Sequence, residues 1–182
     1  VLARYEEQLY AVSHQEEISV DQDLSSPLSL HADTVKPQWV DYNNHMTEGS
    51  YLLVMGDASD ALFRFIGIDQ DYRDSGMSFY TVETHMLNKA EISAGEEFRI
   101  TTQVLDLDEK RLHIFHRMER TSDGALVASG EQMLLHVDSG ESRACAIRED
   151  VKANLDRIYA GHRDLDAPAD AGRSIGIRPR NG

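Results

Sequence analysis

One change of period divides this chain and limits the folds open to it. From Tyr51 to Ile66 the apolar residues recur at helical spacings, and the polar stripe between them is narrow. From Met77 onward the pattern alternates with a period of two, over residues 77–92, 97–107, 111–121 and 125–137. A helix that is apolar on most sides must be covered by other structure, so these strands are predicted to wrap around it.

The ends of the elements are marked by particular residues. Leu28 to Val35 also alternates and predicts a first strand, which Pro37 ends because proline cannot donate to a β ladder. Thr47 is the predicted cap of the long helix and Gly67 its predicted stop. The order of elements predicts an α+β protein in which one curved antiparallel sheet is folded over one long central helix.

The connections were predicted from turn residues and charge. Residues 94–95, 108–109 and 122–124 are predicted hairpin turns, so that the strands they join are antiparallel neighbours. The acidic residues 69–76 are predicted to form a loop, and 149–159 a final short helix.

The domain organisation follows from where the apolar pattern starts and stops. Residues 1–27 are predicted to form a helix and a linker, either the tail of a preceding domain or a processed or trimmed terminus. Residues 28–160 are predicted to form the folded domain. Residues 161–182 carry almost no apolar side chains, which predicts a mobile tail.

Composition excludes some classes of partner. A net charge of −14 argues against a nucleic-acid surface and favours solubility or a cationic ligand. No apolar run approaches the roughly 20 residues that a membrane helix needs, so no membrane contact is predicted. The single Cys145 leaves no internal disulfide and predicts a cytoplasmic location.

The polar stretch before the long helix carries the candidate chemistry. Asp41, Asn43 and His45 stand at alternate positions, and in an extended segment they would point the same way and converge. The free N–H groups at the start of the helix would point toward the same place, an arrangement that suits a carbonyl becoming an oxyanion. The ordinary alternative is that Asp41 only caps a turn.

Two further groups of side chains are candidates for chemistry. Glu83 and His85 share one strand face and are predicted either to face the helix start as a second acid–base group or to be a solvent-facing or satisfied pair. His113 and His116 point to opposite faces of a strand and cannot chelate one ion together, so no metal site is predicted.

The motif Asp41-x-Asn43-x-His45-Met46, with Tyr51 six residues after His45, resembles that of hotdog acyl-thioesterases, whose curved sheet wraps a central helix. Residues 39–51, 80–85, 108–113 and 130–136 resemble more closely the betainyl-CoA thioesterases of carnitine breakdown, a domain that some bacteria fuse behind an L-carnitine dehydrogenase. Thr47 and Glu48 depart from the two Asn that many acyl-carrier enzymes have there, which implies a different acyl pocket.

The resemblance implies a thioesterase acting on a short-chain acyl-CoA, most specifically betainyl-CoA. Asp41 would activate water or attack the thioester itself, and Asn43 and His45 would position substrate or water. A Glu on the facing strand, Glu83, would contribute to the site. No cofactor is implied beyond the coenzyme A of the substrate, and a homodimer or homotetramer is expected. The alternatives are a non-catalytic module that binds acyl-CoA and, more weakly, a hydratase.

The same resemblance suggests the substrate contacts. Lys110 and Arg111 would hold the phosphates of coenzyme A, or would be ordinary charges at a hairpin tip. Several aromatic residues lie near the motifs and would either hold a trimethylammonium group on their ring faces or pack in the core. These residues are Trp39, Tyr42, Tyr51, Phe79 and Tyr80.

Overall fold

The computed structural model describes residues 23–177, in which a six-stranded antiparallel sheet curves around one long helix. The strands are β1 (Leu28–Thr34), β2 (Met77–Asn88), β3 (Glu97–Leu107), β4 (Arg111–Arg120), β5 (Leu126–Asp138) and β6 (Arg143–Ala144). The helices are α1 (Glu48–Ile66), α2 (Gln70–Asp74) and α3 (Glu149–His162), with a 3₁₀ turn at Pro37–Trp39. The predicted α+β class and the central helix are confirmed. Of the helix and linker predicted over residues 1–27, residues 1–22 lie outside the described residues.

Both predicted ends of α1 are confirmed. Thr47 is its N-cap residue in an extended conformation, although its hydroxyl lies 2.9 Å from the Ser50 hydroxyl instead of bonding a backbone N–H. Gly67 ends the helix at φ 99°, in the left-handed region that favours glycine. Between them one side of α1 is buried against the sheet, while Leu52 and Leu53 are half exposed.

The sheet has an inner face toward α1 and an outer face away from it. On β5, Gly130 lies so close to Met55 of α1 that an added Cβ would sit 3.4 Å from its Cγ and Sδ atoms. Two residues on, Gln132 accepts a 2.8 Å hydrogen bond from Ser59 of α1. Even-numbered residues of this part of β5 therefore face the helix, and odd-numbered residues such as Glu131 and Met133 face outward.

A buried polar layer separates the core into two apolar clusters. His116 of β4 is fully buried, with Nδ1 2.9 Å from the Thr102 hydroxyl and Nε2 3.0 Å from the Ser59 hydroxyl. Burial lowers the pKa of His116 to about 3, so the imidazole is neutral. The layer joins α1 to β3, β4 and β5, and it confirms that His116 and the outward-facing His113 lie on opposite faces.

Strand order differs from the expectation of consecutive hairpins. The order is β1-β3-β4-β5-β2, with β6 paired to the end of β5, so β2 and β3 are not neighbours and the predicted hairpin at residues 94–95 is wrong. Gly95 does turn the chain, at φ 86°, but its N–H bonds Val35 beyond the end of β1. The β2–β3 connection, residues 89–96, instead crosses the end of the sheet beside the Asp41 motif.

Two local predictions also need correction, and one short strand was not predicted. The predicted loop at residues 69–76 contains α2, whose N-cap Asp69 accepts the Tyr72 N–H at 2.8 Å. The final helix runs on to His162, which is buried and accepts a 3.0 Å bond from the Val104 N–H. The short strand β6 was not foreseen because two residues carry no periodic signal. None of the helices within residues 23–177 is long and apolar enough to cross a membrane.

Candidate active site

The Asp41 motif forms a tight turn between two bridged residues, Val40 and Met46. The Asp41 N–H donates to the His45 carbonyl at 2.9 Å, and Asn44 adopts φ 62°, a left-handed conformation that asparagine tolerates. The expectation of an extended segment is therefore wrong, because Asp and Asn side chains favour this local turn over a strand.

The carboxylate of Asp41 has a structural task in this turn. Its Oδ1 accepts the N–H groups of Asn43 at 2.8 Å and of His45 at 3.2 Å. Among the described residues, Oδ2 accepts no hydrogen bond, and the side chain is exposed. Asp41 therefore caps the turn through Oδ1, as the alternative interpretation predicted. Its Oδ2 is available to a ligand or a water molecule.

His45 is approached by a residue that the sequence did not single out. Its Nε2 lies 3.3 Å from Oε2 of Glu91, which belongs to the β2–β3 connection. Asn43, in the same turn, is exposed. Glu91 was not singled out because it lies far along the chain from His45, and the strand predicted over residues 77–92, which would include it, ends at Asn88 in the structure.

The helix start beside this turn is open. Thr47 donates its N–H to the Trp39 carbonyl, and the N–H groups of Ser50 and Tyr51 both donate to the Thr47 carbonyl. Among the described residues, the N–H groups of Glu48 and Gly49 have no partner, and nothing lies within 4 Å of the position a Gly49 Cβ would take. Two free donors at a helix N-terminus form a site suited to an oxyanion.

Three of the five aromatic residues near the motifs pack in the core, as one of the two interpretations expected, and Tyr42 and Tyr80 are exposed. Trp39 is buried and carries the Lys36 ammonium over its ring, 4.5 Å from the centroid. Tyr51 is buried with its hydroxyl donating to the Ala90 carbonyl at 3.3 Å, and burial raises its pKa. Phe79 is buried and stacks on Phe63. These rings serve the core, while Tyr42 is 95% exposed in the turn.

Glu83 and His85 do not face the helix start of their own chain. A β-bulge between Thr81 and Glu83 leaves Val82 unpaired, so Glu83 pairs with Met133 and His85 with Glu131. Both partners are on the outer face, whereas Phe79 and Thr81 before the bulge pair with inner-face residues. The extra residue reverses the alternation, so Glu83 and His85 share one face, as predicted, and that face is the outer one.

The basic pair lies at the opposite end of the sheet. Arg111 is held by Asp108 through a 2.6 Å bond from its Nε, and the backbone N–H groups of Lys110 and Arg111 also bond that carboxylate. These bonds lower the pKa of Asp108 to about 2, with the Lys110 N–H the largest cause. The Lys110 side chain is exposed and has no ion-pair partner among residues 23–177.

A cleft on the outer face lies next to this pair. It encloses about 250 Å³ and is lined by Tyr80, Leu135, Val137, Asp138, Ser139, Ser142, Arg143 and Ala144. Leu135 pairs with Tyr80 on one side and with Arg111 on the other, so the structure does bring two of the predicted binding residues together. Tyr80 lies about 26 Å along β2 from the end of that strand at Asn88, and the Asp41 turn lies beyond this end. The cleft and the Asp41 turn of one chain are therefore far apart.

Comparison with known proteins supports a common family. The model of the thioesterase-like superfamily matches residues 35–155. The L-carnitine dehydrogenase/betainyl-CoA thioesterase of Rhizobium meliloti is 43% identical over 97% of this chain, which spans only 35% of that protein. The betainyl-CoA thioesterase of Pseudomonas aeruginosa is 40% identical over 86% of this chain and 99% of its own length.

Solved structures agree with this result. A putative thioesterase from Pseudomonas putida KT2440 is 34% identical, with a TM-score of 0.74 over 85% of this chain and 99% of the other. A Staphylococcus aureus protein solved in complex with CoA is 26% identical, with a TM-score of 0.74 over 84% of this chain and 97% of the other. The expected hotdog fold is confirmed, and the chain belongs to the thioesterase-like superfamily.

Proposed function

We propose that this chain is a thioesterase that hydrolyses betainyl-CoA to betaine and coenzyme A. The observation that carries the proposal is its 40% identity with the Pseudomonas aeruginosa protein of that name, over 99% of that protein's length. The site offers a carboxylate oxygen, an imidazole and two free helix N–H groups around one turn. We also propose a cytoplasmic location, in keeping with the free thiol of Cys145.

The proposed reaction transfers the betainyl group from the coenzyme A sulfur to water. Asp41 Oδ2 takes a proton from a water molecule whose oxygen attacks the thioester carbon, or it attacks that carbon itself and forms a mixed anhydride that water then hydrolyses. In both cases a C–O bond forms at the thioester carbon. The carbonyl oxygen gains charge, which the N–H groups of Glu48 and Gly49 stabilise. The C–S bond then breaks, and the coenzyme leaves as a thiolate that takes up a proton. His45 and Asn43 orient the attacking water and the substrate.

In this proposal the betaine cation is recognised by one carboxylate, that of Glu48, and one exposed ring, that of Tyr42. Trp39 already carries Lys36 on its ring, so it is not available to a second cation. Glu48 is exposed in the first turn of α1, in a chain of net charge −14 whose field attracts cations. Tyr42 is the exposed ring of the motif and supplies a face for the methyl groups.

The proposal includes a homodimer in which two copies complete each site. Strand β2 is an edge of the sheet, and its Val82 is 56% exposed. An unpaired apolar edge favours pairing with a second copy. If two copies pair antiparallel along β2 about a two-fold axis, the Tyr80 end of one copy lies beside the Asn88 end of the other. Lys110 and the cleft of one copy would then approach the Asp41 turn of the other, as one extended coenzyme A molecule requires.

The test is a thiol-release assay on a panel of acyl-CoAs. The proposal predicts steady release from betainyl-CoA, with a kcat/KM about 10-fold or more above that for 3,3-dimethylbutyryl-CoA, which has carbon in place of the charged nitrogen. Equal kcat/KM values for the two substrates would mean that the enzyme does not recognise the positive charge. Binding without release would instead identify a non-catalytic acyl-CoA module, and addition of water to an unsaturated acyl-CoA would identify a hydratase.

A further inference from the structure

The β2–β3 connection beside the Asp41 turn is fixed residue by residue to four different parts of the chain. The Lys89 ammonium pairs with Asp170 at 2.6 Å, and the Ala90 carbonyl accepts the Tyr51 hydroxyl at 3.3 Å. The Glu91 carbonyl accepts the Arg120 guanidinium at 3.0 Å, and the Ile92 carbonyl accepts the Met46 N–H at 2.9 Å. Irregular backbone held at four successive residues has a defined position.

This scaffold presents one carboxylate to the motif. Glu91 directs its Oε2 to within 3.3 Å of the His45 Nε2, with the Glu91 side chain 74% and the His45 side chain 39% exposed. The other groups that face this pair are Asp41 from the turn, Tyr51 from α1 and Arg120 from β4. Arg120 bonds the main-chain carbonyl of Glu91 and not its carboxylate. The carboxylate therefore remains available to the His45 imidazole.

We propose that Glu91 is a positioning residue that holds the His45 ring in its working orientation. With Nε2 turned to Glu91, the ring presents Nδ1 to the water or substrate beside Asp41. A carboxylate that contacts one ring nitrogen and so fixes the orientation of an imidazole is common in sites where a histidine must act in one orientation. The inference deepens the proposed function and, in its kinetic part, rests on it.

The first test needs no activity. Relaxation of the His45 ring carbons by nuclear magnetic resonance reports how freely the ring moves. In the parent protein the ring should be ordered, and Glu91→Ala should lower its order parameter while the backbone of the turn keeps its own. Glu97→Ala is the matched control, because Glu97 is also exposed, lies at the same end of the sheet and has no side-chain partner among residues 23–177. An unchanged ring in Glu91→Ala would overturn the proposal, whatever the enzyme assay gives.

The second test is a double-mutant cycle on betainyl-CoA hydrolysis. Glu91 makes a single, solvent-exposed contact with His45, so Glu91→Ala should lower kcat about two- to fivefold with little change in KM. In a His45→Ala background the same change should have no further effect, because a positioning residue acts only through its partner. An equal loss in both backgrounds would overturn the proposal. A parent protein that releases no thiol would refute the proposed function and leave the ring measurement to decide the role of Glu91.

Discussion

The Lys89 ammonium lies 2.6 Å from the Asp170 carboxylate and ties the end of the chain to the connection that borders the candidate site. The segment that follows α3, residues 163–177 and here called the C-terminal segment, also bonds the sheet through Gly172, whose N–H donates to Glu131 at 2.8 Å. Phe115, on the outer face beside Glu131, is buried. The segment therefore lies across the outer face of the sheet, and the mobility expected of residues 161–182 stays a prediction.

Asp170→Asn should loosen this segment. The lost ion pairs with Lys89 and Arg173 should lower the free energy of unfolding by about 0.5–1 kcal/mol and speed tryptic cleavage at Arg173. Asp164→Asn is the matched control, since Asp164 is exposed and its one ion-pair partner among residues 23–177 is its neighbour Arg163, at 3.7 Å. Equal cleavage rates in the two variants would mean that the segment is already free in solution.

Acid should destabilise the protein before its carboxylates titrate. The pKa of His116 is lowered to about 3 by burial, so below the ordinary histidine pKa near 6.5 the unfolded chain binds a proton that the folded chain does not. Stability is then full above about pH 6.5 and should fall by about 1.4 kcal/mol per pH unit from this residue alone as pH drops toward 4.5. Burial lowers the pKa of His31, His136 and His162 in the same direction.

Urea unfolding at pH 7.0, 6.0, 5.0 and 4.5 measures this slope. A free energy of unfolding that stays flat across the range would contradict the buried neutral state of His116.

Charge at the β2 edge should break the proposed dimer. Val82→Lys places an ammonium on the exposed edge, and charged residues at such positions oppose strand pairing. The dissociation constant of the dimer should rise at least about tenfold, as measured by sedimentation equilibrium. Ile175→Lys also replaces an exposed aliphatic residue by lysine, but in the C-terminal segment, where Ile175 is 93% exposed. This change should leave the dissociation constant of the dimer unchanged. A parent protein that sediments as a monomer at micromolar concentration would refute the edge-to-edge dimer.

The coenzyme contact is tested at Lys110. Its ammonium is exposed and unpaired among the described residues, whereas Arg111 is engaged with Asp108, so Lys110→Glu changes charge without breaking the hairpin. KM for betainyl-CoA should rise about three- to tenfold with little change in kcat, because a phosphate far from the thioester is bound alike in ground and transition states. Lys152→Glu on α3 is the control, and a KM that responds equally to both changes would place the phosphates elsewhere.

Local signals predicted much of this fold. The ends of α1, the start of every long strand to within one residue and the α+β class follow from periodicity and from capping and turn residues that act on their neighbours. Strand order could not be predicted from these signals, because β2 pairs with β5, which is distant along the chain, and not with β3, which follows it in sequence. The resemblance supplied the family, which composition and periodicity alone did not reach.

The candidate site was predicted less completely than the fold. Asp41 and His45 are placed at an open helix start, but as parts of a turn that Asn44 stabilises and not of a strand. A single unpaired residue, Val82, moved Glu83 to the outer face, and no sequence pattern marks such a bulge. Glu91 reaches His45 only because the β2–β3 connection is folded back onto the motif.

The most direct measurement is thiol release from betainyl-CoA by the parent protein and by Asp41→Asn. The amide oxygen of Asn still accepts the N–H groups of Asn43 and His45, so the turn is preserved while the base or nucleophile is lost. Asp69→Asn, at the cap of α2, makes the same chemical change away from the site and should keep parental activity. The account predicts release by the parent and a kcat lower by about 10³ or more in Asp41→Asn, with KM within a few fold. Turnover by Asp41→Asn within a few fold of the parent would contradict it.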